Sequence, residues 1–310
     1  MDRPFCLIVN PAAGNGRAHG LMPPARSVLD AAGAEHRVLE SASLAHAREL
    51  ATEAAGRGDV VVAVGGDGMA GALAGVAAAG GARYGLIPAG RGNDLAGVLG
   101  IPCDPAAAAR VLAGGQFRQI DLISVSAPGQ PDVVVAGSVY AGIPALAAEI
   151  ANATRWLGGP LVYPAAALRA LARWQPATFT VAIAGEPAVT GVADIEEFDG
   201  YAVIVANSAC FGAGMQVAPA AVIDDGLLDV VLMRRAAKLT FVRALMKIRN
   251  GSHVGMPQIS LRQGAEVTIT MSRDLPAGAD GEPLPGAAPL AAGSTLRIRA
   301  LPSALSVLVP

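Results

Sequence analysis

The chain is poor in aromatic residues, which make up 4% of its 310 positions, and poor in charge, at 15%. Low charge together with 53% apolar content excludes a disordered chain. Neither sign of charge dominates. There are 23 Lys and Arg against 25 Asp and Glu, a formal net charge of -2. No dedicated nucleic-acid binder is expected from that balance, although it leaves room for a local basic face. Cysteines are few and odd in number (Cys6, Cys103 and Cys210) and lie far apart. They read as small buried residues of a reduced, cytoplasmic protein. Scattered histidines and no Cys-x-x-Cys leave no zinc signature. No run reaches the roughly 18 uninterrupted apolar residues that span a bilayer. The opening segment to Pro11 reads as a strand broken by a turn, not as a signal peptide.

What is present is a chain long enough for two cores. The first part alternates apolar runs with helical stretches. Strands are predicted at Phe5–Val9, Glu35–Leu39, Val60–Val64 and Tyr84–Ile87, with helices over 19–32, Ala45–Ala55 and Met69–Ala79. Val60–Val64 is an unbroken apolar, mostly β-branched run, as expected of a strand buried on both faces. Strand, helix, strand in repetition predicts a parallel sheet flanked by helices. After Asp121 the texture changes. Strands are predicted at Val133–Tyr140, Ala177–Ala184, Tyr201–Ala206, Leu227–Met233, Glu266–Met271 and Thr295–Ala300. Turns are expected at Pro128-Gly129 and Asp199-Gly200, and helices near Ile143–Trp156 and Lys238–Arg249. The fold class is therefore α/β in two domains, with an antiparallel β-sandwich domain following the parallel one. The boundary falls near Asp121–Pro131, giving domains 1–125 and 126–304. A final strand, Leu305–Val309, is a candidate to return to the first domain.

Three glycine-rich loops each follow a strand and precede a helix. They are Asn10-Pro11-Ala12-Ala13-Gly14-Asn15-Gly16, Gly65-Gly66-Asp67-Gly68, and Pro88-Ala89-Gly90-Arg91-Gly92-Asn93-Asp94. Glycine lets bare backbone N–H groups approach a phosphate, and a helix N-terminus favours an anion. One such loop is equally an ordinary βα turn. Three of them at the carboxyl ends of parallel strands, where ligands gather, are hard to explain as packing.

In that order and spacing the loops resemble the catalytic domain of diacylglycerol kinases, whose relatives are sphingosine, ceramide and bacterial lipid kinases. Ala218-Pro219, Asp224-Asp225-Gly226-Leu227-Leu228-Asp229 and Asp280-Gly281-Glu282 extend the resemblance over nearly the whole chain. The resemblance implies a nucleotide-binding α/β domain, a β-sandwich domain for the lipid substrate, and an active site in a cleft between them. It implies transfer of a phosphoryl group from ATP to a lipid hydroxyl, most simply diacylglycerol to phosphatidic acid. Asn10, Pro11, Ala12, Ala13 and Gly14 would touch ATP, as would Gly65, Gly66, Asp67, Gly68 and Met69. Ser41 matches a family threonine that contacts the nucleotide, and Gly90, Arg91, Gly92, Asn93 and Asp94 complete the set. A lipid hydroxyl is a poor nucleophile and needs a proton acceptor. Glu282 is the candidate base, with Asp280 beside it and Asp121 in support. On its own, Asp280-Gly281 is also a strong hairpin-turn signal. Charge neutralisation of the phosphates implies Mg²⁺ with ATP. A structural Mg²⁺ is implied at the Asp225 carboxylate and the carbonyls of Val222 and Leu227, where the bland alternative is a solvated acidic turn.

The chain departs from the family at Met69, where a threonine is usual, at Gly71 and Ala72, where Asn and Glu are usual, and at Arg91, where a threonine is usual. Two hydroxyls and one acid are missing, and Arg91 is a candidate substitute donor to phosphate. Two rival readings stay open. One is an NAD kinase-like enzyme, and the other a catalytically silent lipid- or nucleotide-binding regulatory protein. A homodimer is also left open. Lastly, no Asp or Glu occurs from Val230 to Ala265, while Arg234, Arg235, Lys238, Arg243, Lys247, Arg249 and Arg262 do. Leu239, Val242, Leu245 or Met246, and Arg249 recur at helical spacing, giving an apolar stripe. This is either a surface helix packed on the sandwich or a face for transient peripheral contact with anionic membrane.

Overall fold

A computed structural model of the chain describes residues 3–13, 18–90, 92–153, 162–175, 177–185, 193–212, 214–284 and 289–310. The chain divides into two units, Met1–Leu122 with Pro302–Pro310, and Ile123–Leu301.

The first unit runs β1 (Phe5–Val9), α1 (Ala18–Ala31), β2 (His36–Glu40), α2 (Leu44–Gly56), β3 (Val60–Gly65), α3 (Asp67–Ala79), β4 (Tyr84–Pro88), α4 (Asp94–Val98) and α5 (Pro105–Gly114). Its strands are parallel in the order β2-β1-β3-β4. Every residue of β1, β3 and β4 is buried, which is why these segments read as continuous apolar runs rather than alternating ones. Small side chains let the helices lie close on the sheet. Helix α2 turns Ala47, Ala51 and Ala54 inward, at the spacing of one helical face. Its first turn is capped by Ser43, which accepts from the His46 N–H. Asp104 caps α5 in the same way, and Pro105 occupies the first helical position, where a missing N–H costs nothing. The Tyr84 hydroxyl donates to the Ala70 carbonyl, pinning α3 to β4.

The second unit is antiparallel. It contains β5 (Gln116–Ser126, entering from the first unit), β6 (Val133–Val135), β7 (Ser138–Gly142), α6 (Ile143–Ala153), α7 (Val162–Arg173), β8 (Ala177–Ala184) and β9 (Asp194–Ala206). Then follow β10 (Cys210–Phe211), β11 (Met215–Gln216), β12 (Leu228–Arg234), α8 (Lys238–Lys247), β13 (Ile259–Gly264), β14 (Glu266–Met271), β15 (Ala277–Ala279), β16 (Glu282–Pro283) and β17 (Thr295–Val309). The long β9 organises the layers. Its first half pairs with β8, and its second half lies between β7 and β12. On one face Val139, Val203, Val205 and Val230 share a core with Phe179, Val181, Val267 and Ile269 of β8 and β14. On the other face Tyr140, Ala202, Ile204 and Val231 pack with residues of α6, α7 and α8. Strands covered twice are buried along nearly their whole length and mostly apolar, whereas β8 and β14 alternate buried with more exposed positions.

Several local expectations are corrected. Val133–Tyr140 is two strands, because Ala136 and Gly137 leave the ladder and give their N–H groups to Asp280. Asp199-Gly200 is no turn. It lies inside β9 opposite a register shift in β12, and a Cβ at Gly200 would meet the Met233 carbonyl at 2.8 Å. The glycine answers a close backbone approach, not a reversal. Thr295–Ala300 and Leu305–Val309 are one strand, whose first part pairs with β14 and whose Val307 stands parallel to Tyr84 of the first unit. Helix α6 is described to Ala153, and the expected continuation to Trp156 lies outside the described residues. The packed side of α8 is Phe241 and Ala244, continued by Ile248; of the expected stripe, Val242 and Leu245 are half-buried against that core, whereas Leu239 and Met246 are exposed.

After α8 the chain forms two short 3-10 turns, and the second buries His253, whose Nε2 meets the Val217 carbonyl at 3.0 Å. Burial holds the imidazole below its ordinary pKa, with backbone hydrogen bonds opposing. The native state therefore binds fewer protons at this site than the unfolded chain. Its stability is complete above the unfolded value near about 6.5 and is lost as pH falls through the folded one. Thermal unfolding of the wild type should show a melting temperature declining below about pH 6.5. His253→Gln should melt lower at neutral pH but with a flatter pH dependence. Parallel curves for the two proteins would exclude His253 as the source.

Candidate functional site

In the first unit the glycine loops are held by backbone and side-chain contacts that can be followed atom by atom. At the end of β1, Asn10 donates its N–H to the Val64 carbonyl, and its Oδ1 accepts from the Ala12 N–H. This is a local turn that lifts the chain off the sheet edge. Ser41, buried at the end of β2, donates its hydroxyl to the Val9 carbonyl at 3.0 Å and its N–H to the same oxygen at 2.8 Å. It ties the ends of β1 and β2 together.

The loops after β3 and β4 touch through bare backbone. A Cβ on Gly90 would lie 2.5 Å from the Gly66 Cα, so no side chain fits at that crossing. Asp67 fixes the contact. Its Oδ1 accepts from the Asp94 N–H at 2.6 Å and its Oδ2 from the Asn93 N–H at 2.9 Å. The carboxylate thus serves the half-buried N-terminus of α4 from 26 and 27 residues away. Asn93 sits in the left-handed region at φ 54 and folds its amide back on Gly90, accepting from its N–H and donating to its carbonyl. Met69 is buried, with its sulfur 2.8 Å from where a Cβ on Gly65 would stand. The structure thus brings Gly65, Gly66, Asp67, Gly90, Asn93 and Asp94 together. Asn10 and Ser41 are joined to β3 and β1 at the ends of the neighbouring strands. Gly14 and Arg91 lie outside the described residues.

Asp121 is buried on β5, where its Oδ1 accepts from the Ser303 N–H at 2.7 Å. Ser303 has a φ of 50, so the carboxylate stabilises a strained point of β17.

In the second unit, β15 and β16 form a hairpin whose two loop residues are Asp280 at φ 46 and Gly281 at φ 88. Two successive positive φ values are the tight-hairpin geometry, so the turn reading of Asp280-Gly281 holds structurally. The Asp280 side chain does a second thing. Its carboxylate accepts from the N–H groups of Ala136, Gly137 and Ser138 at 2.9, 3.0 and 2.8 Å. A Cβ on Gly137 would collide with it at 2.7 Å. The Gly281 N–H donates to the Tyr140 hydroxyl. Glu282 follows, half-buried, in register with Ala279. Sequence reasoning missed the residues that complete this cluster. Asn207 donates its N–H to the Gly137 carbonyl and its amide to the Ala136 carbonyl, and Ser208 lies near by. The available signal was a polar Asn-Ser pair ending the apolar run of β9.

At the acidic turn, Asp225 Oδ1 accepts from the Leu227 N–H at 3.0 Å, Gly226 is left-handed at φ 77, and Val222 and Asp225 are exposed. Asp229 follows on β12, and its burial pushes the carboxyl above the usual range. Gln263 opposes that shift and Asp225 adds to it. Oxygen donors around a local excess of negative charge suit a hard divalent cation. Among the described residues no group of three His, Cys, Asp or Glu side chains could hold a metal. Among the described residues no helix is long and apolar enough to cross a membrane.

Comparison with known proteins finds one family model for each of two segments of the chain. Residues 4–125 match the diacylglycerol kinase catalytic domain, and residues 137–309 match the YegS C-terminal NAD kinase beta sandwich-like domain. The chain is similar to a diacylglycerol kinase of Mycobacterium tuberculosis, 29% identical over 305 residues, covering 98% of this chain and 94% of that protein. It is similar to a protein of Pseudomonas fluorescens named "Probable lipid kinase YegS-like", 32% identical over 299 residues, covering 95% and 88%. A solved diacylglycerol kinase structure from Bacillus anthracis str. Sterne shares the fold, with a TM-score of 0.70 at 18% identity, covering 99% of this chain and 97% of that one.

The Asp280 geometry has a measurable consequence. Replacing it with Asn removes acceptor capacity facing three N–H groups and turns an amide donor toward them. Asp280→Asn should lower stability by on the order of 2 kcal/mol. Chemical denaturation measures this directly, and an unchanged midpoint would show that the three hydrogen bonds carry no stability.

Proposed function

Because this chain belongs to the diacylglycerol kinase family of lipid kinases, we propose that it transfers the γ-phosphoryl group of ATP to a lipid hydroxyl, converting diacylglycerol to phosphatidic acid. The observation that carries the nucleotide side is the crossing of the Gly66 and Gly90 backbones under the Asp67 carboxylate. That arrangement leaves two adjacent βα loops without side chains at their closest point, each followed by the N-terminus of a helix. Backbone N–H groups and helix ends of this kind suit triphosphate oxygens. Asn10–Gly14, Ser41, Gly65–Met69 and Gly90–Asp94 are assigned to ATP in this reading.

In the second unit Glu282 is assigned as the proton acceptor. The lipid oxygen attacks the γ-phosphorus, the new O–P bond forms as the bond to the β–γ bridging oxygen breaks, and ADP leaves. The hydroxyl proton passes to the Glu282 carboxylate. Asp280 is a positioning residue. With its oxygens engaged by the 136–138 N–H groups, it sets the hairpin from which Glu282 projects. Asp121, which holds the Ser303 N–H of the first unit, is assigned a supporting role in this reading. A divalent ion bound with ATP supplies charge neutralisation of the phosphates. A second, structural ion is assigned to the Asp225 carboxylate and the Val222 and Leu227 carbonyls. The lipid acceptor is met by transient peripheral contact with anionic membrane.

The test is radiolabelled ATP offered with a panel of lipid alcohols in mixed micelles. Diacylglycerol should be labelled preferentially. Glu282→Gln should lose about 10²- to 10⁴-fold in rate, with an unchanged melting temperature and unchanged ATP affinity by calorimetry. A Glu282→Gln protein that keeps most of its activity places the base elsewhere. ATP binding with no labelled lipid at all identifies instead the regulatory reading that Met69 and Arg91 motivate.

The structural ion is tested separately. A ligand held only by the native state raises stability in proportion to its occupancy. Wild-type protein should melt higher in Mg²⁺ than in chelator, and Asp225→Ala should melt at the chelator temperature in both. Identical melting of the wild type in the two buffers removes the ion from the turn.

A further inference from the structure

Helix α8 presents two ridges. Phe241, Ala244 and Ile248 point into the core, where the Phe241 ring meets Tyr201 edge-on at 5.0 Å. Leu239 and Met246 point out, with 63% and 73% of their surfaces exposed. Seven residues apart, they lie within about 20° of each other around the helix axis, opposite the buried ridge. A single exposed leucine is ordinary. Here, though, two of the three most exposed large apolar side chains among the described residues stand on one short helix, the third being Ile195 at 66%.

Cations flank that outer ridge. Arg243 and Lys247 fall at about 40° and 80° on one side of Leu239, and Lys238 at about 100° on the other. Arg249 follows in the next turn and is exposed. Two other basic residues of the region are already partnered, Arg234 with Glu196 and Arg235 with Asp199. Among the described residues, Arg243, Lys247 and Arg249 have no carboxylate at ion-pair distance, and the chain from Val230 to Ala265 contains none.

We propose that this outward face of α8 docks on an anionic lipid bilayer, with Leu239 and Met246 entering the acyl boundary and Arg243, Lys247 and Arg249 engaging the headgroups. The proposal rests on the lipid-kinase reading only in that a lipid acceptor is met at a bilayer. An apolar ridge bordered by long cationic side chains is the pattern of interfacial helices, whose stems lie along the apolar surface while their heads reach the phosphates. The buried ridge holds α8 in place before contact, so docking orders little new structure. A second copy of this chain is a poorer occupant. A two-fold contact sets a patch against itself, and here that would oppose two rows of unpaired cations.

The test is vesicle co-sedimentation of the full chain without nucleotide. One set of vesicles is pure phosphatidylcholine and the other contains about a third phosphatidylglycerol, each at low and high salt. Wild-type protein should favour the anionic vesicles, and salt should weaken that preference. Each basic side chain near such a surface multiplies partitioning by about fivefold. R243Q/K247Q/R249Q should therefore bind anionic vesicles on the order of 100-fold more weakly. L239S/M246S should lose about tenfold or more on the same vesicles. Both variants should melt with the wild type and phosphorylate detergent-dispersed lipid at its rate. Because binding is read without ATP, a failed kinase assay leaves this result standing. Equal binding of wild type to both vesicle types overturns the proposal, as do variants that bind like wild type. Sedimentation showing that L239S/M246S dissociates a dimer while vesicle binding persists assigns the ridge to a second copy and overturns it as well.

Discussion

A backbone N–H taken out of water must find an acceptor, and in the candidate loops of each unit the acceptors are carboxylates. Each βα loop and each break in a strand creates donors that no ladder satisfies. Asp67 takes the two at the start of α4, Asp280 takes the three where β6 gives way to β7, and Asp121 takes the one at Ser303. The same three residues that the family resemblance nominates for chemistry are therefore also what holds the chain in place. Two of these clamps span more than a hundred residues of sequence, so the shape of the loops is a property of the assembled units and not of any short segment.

This use of carboxylates depends on glycine. A carboxylate can reach consecutive N–H groups only if the chain presents them unshielded, and at Gly137 a methyl group would stand only 2.7 Å from the Asp280 oxygen. At Gly66 and Gly90 the exclusion is mutual, backbone against backbone. Glycine here marks places where something must come close, and at Gly200 the same logic operates inside a strand, with no loop at all.

The cores follow from small side chains. With few aromatics, helices approach sheets on alanine, as α2 does on Ala47, Ala51 and Ala54. In the second unit the strands covered on both faces, β7, the latter half of β9 and β12, carry the most continuous apolar runs, and β8 and β14, covered on one face, alternate. Helix α8 belongs to the same economy, with one apolar ridge spent on the core and another left outside it.

Most of the first unit was legible in the sequence. Its strands and helices are set by local rules, namely β-branched runs bounded by glycine and alanine-rich segments with helical spacing, and the order of the three loops along the chain carries the family resemblance. The apolar strands of the second unit were legible for the same reason. The missed features depend on partners remote in sequence. The split at Ala136-Gly137 exists because Asp280 arrives from the far end of the unit, and the glycine in Asp199-Gly200 answers the backbone of β12. The cluster of Asn207 and Tyr140 around the Asp280 hairpin forms where three separate strands meet. The periodicity of α8 was visible, but it offers more than one apolar ridge, and only packing against Tyr201 decided which of them faces inward. Local propensity and spacing are written into neighbouring residues. Which donor meets which acceptor, and which face is covered, is fixed only when distant segments compete for the same buried space.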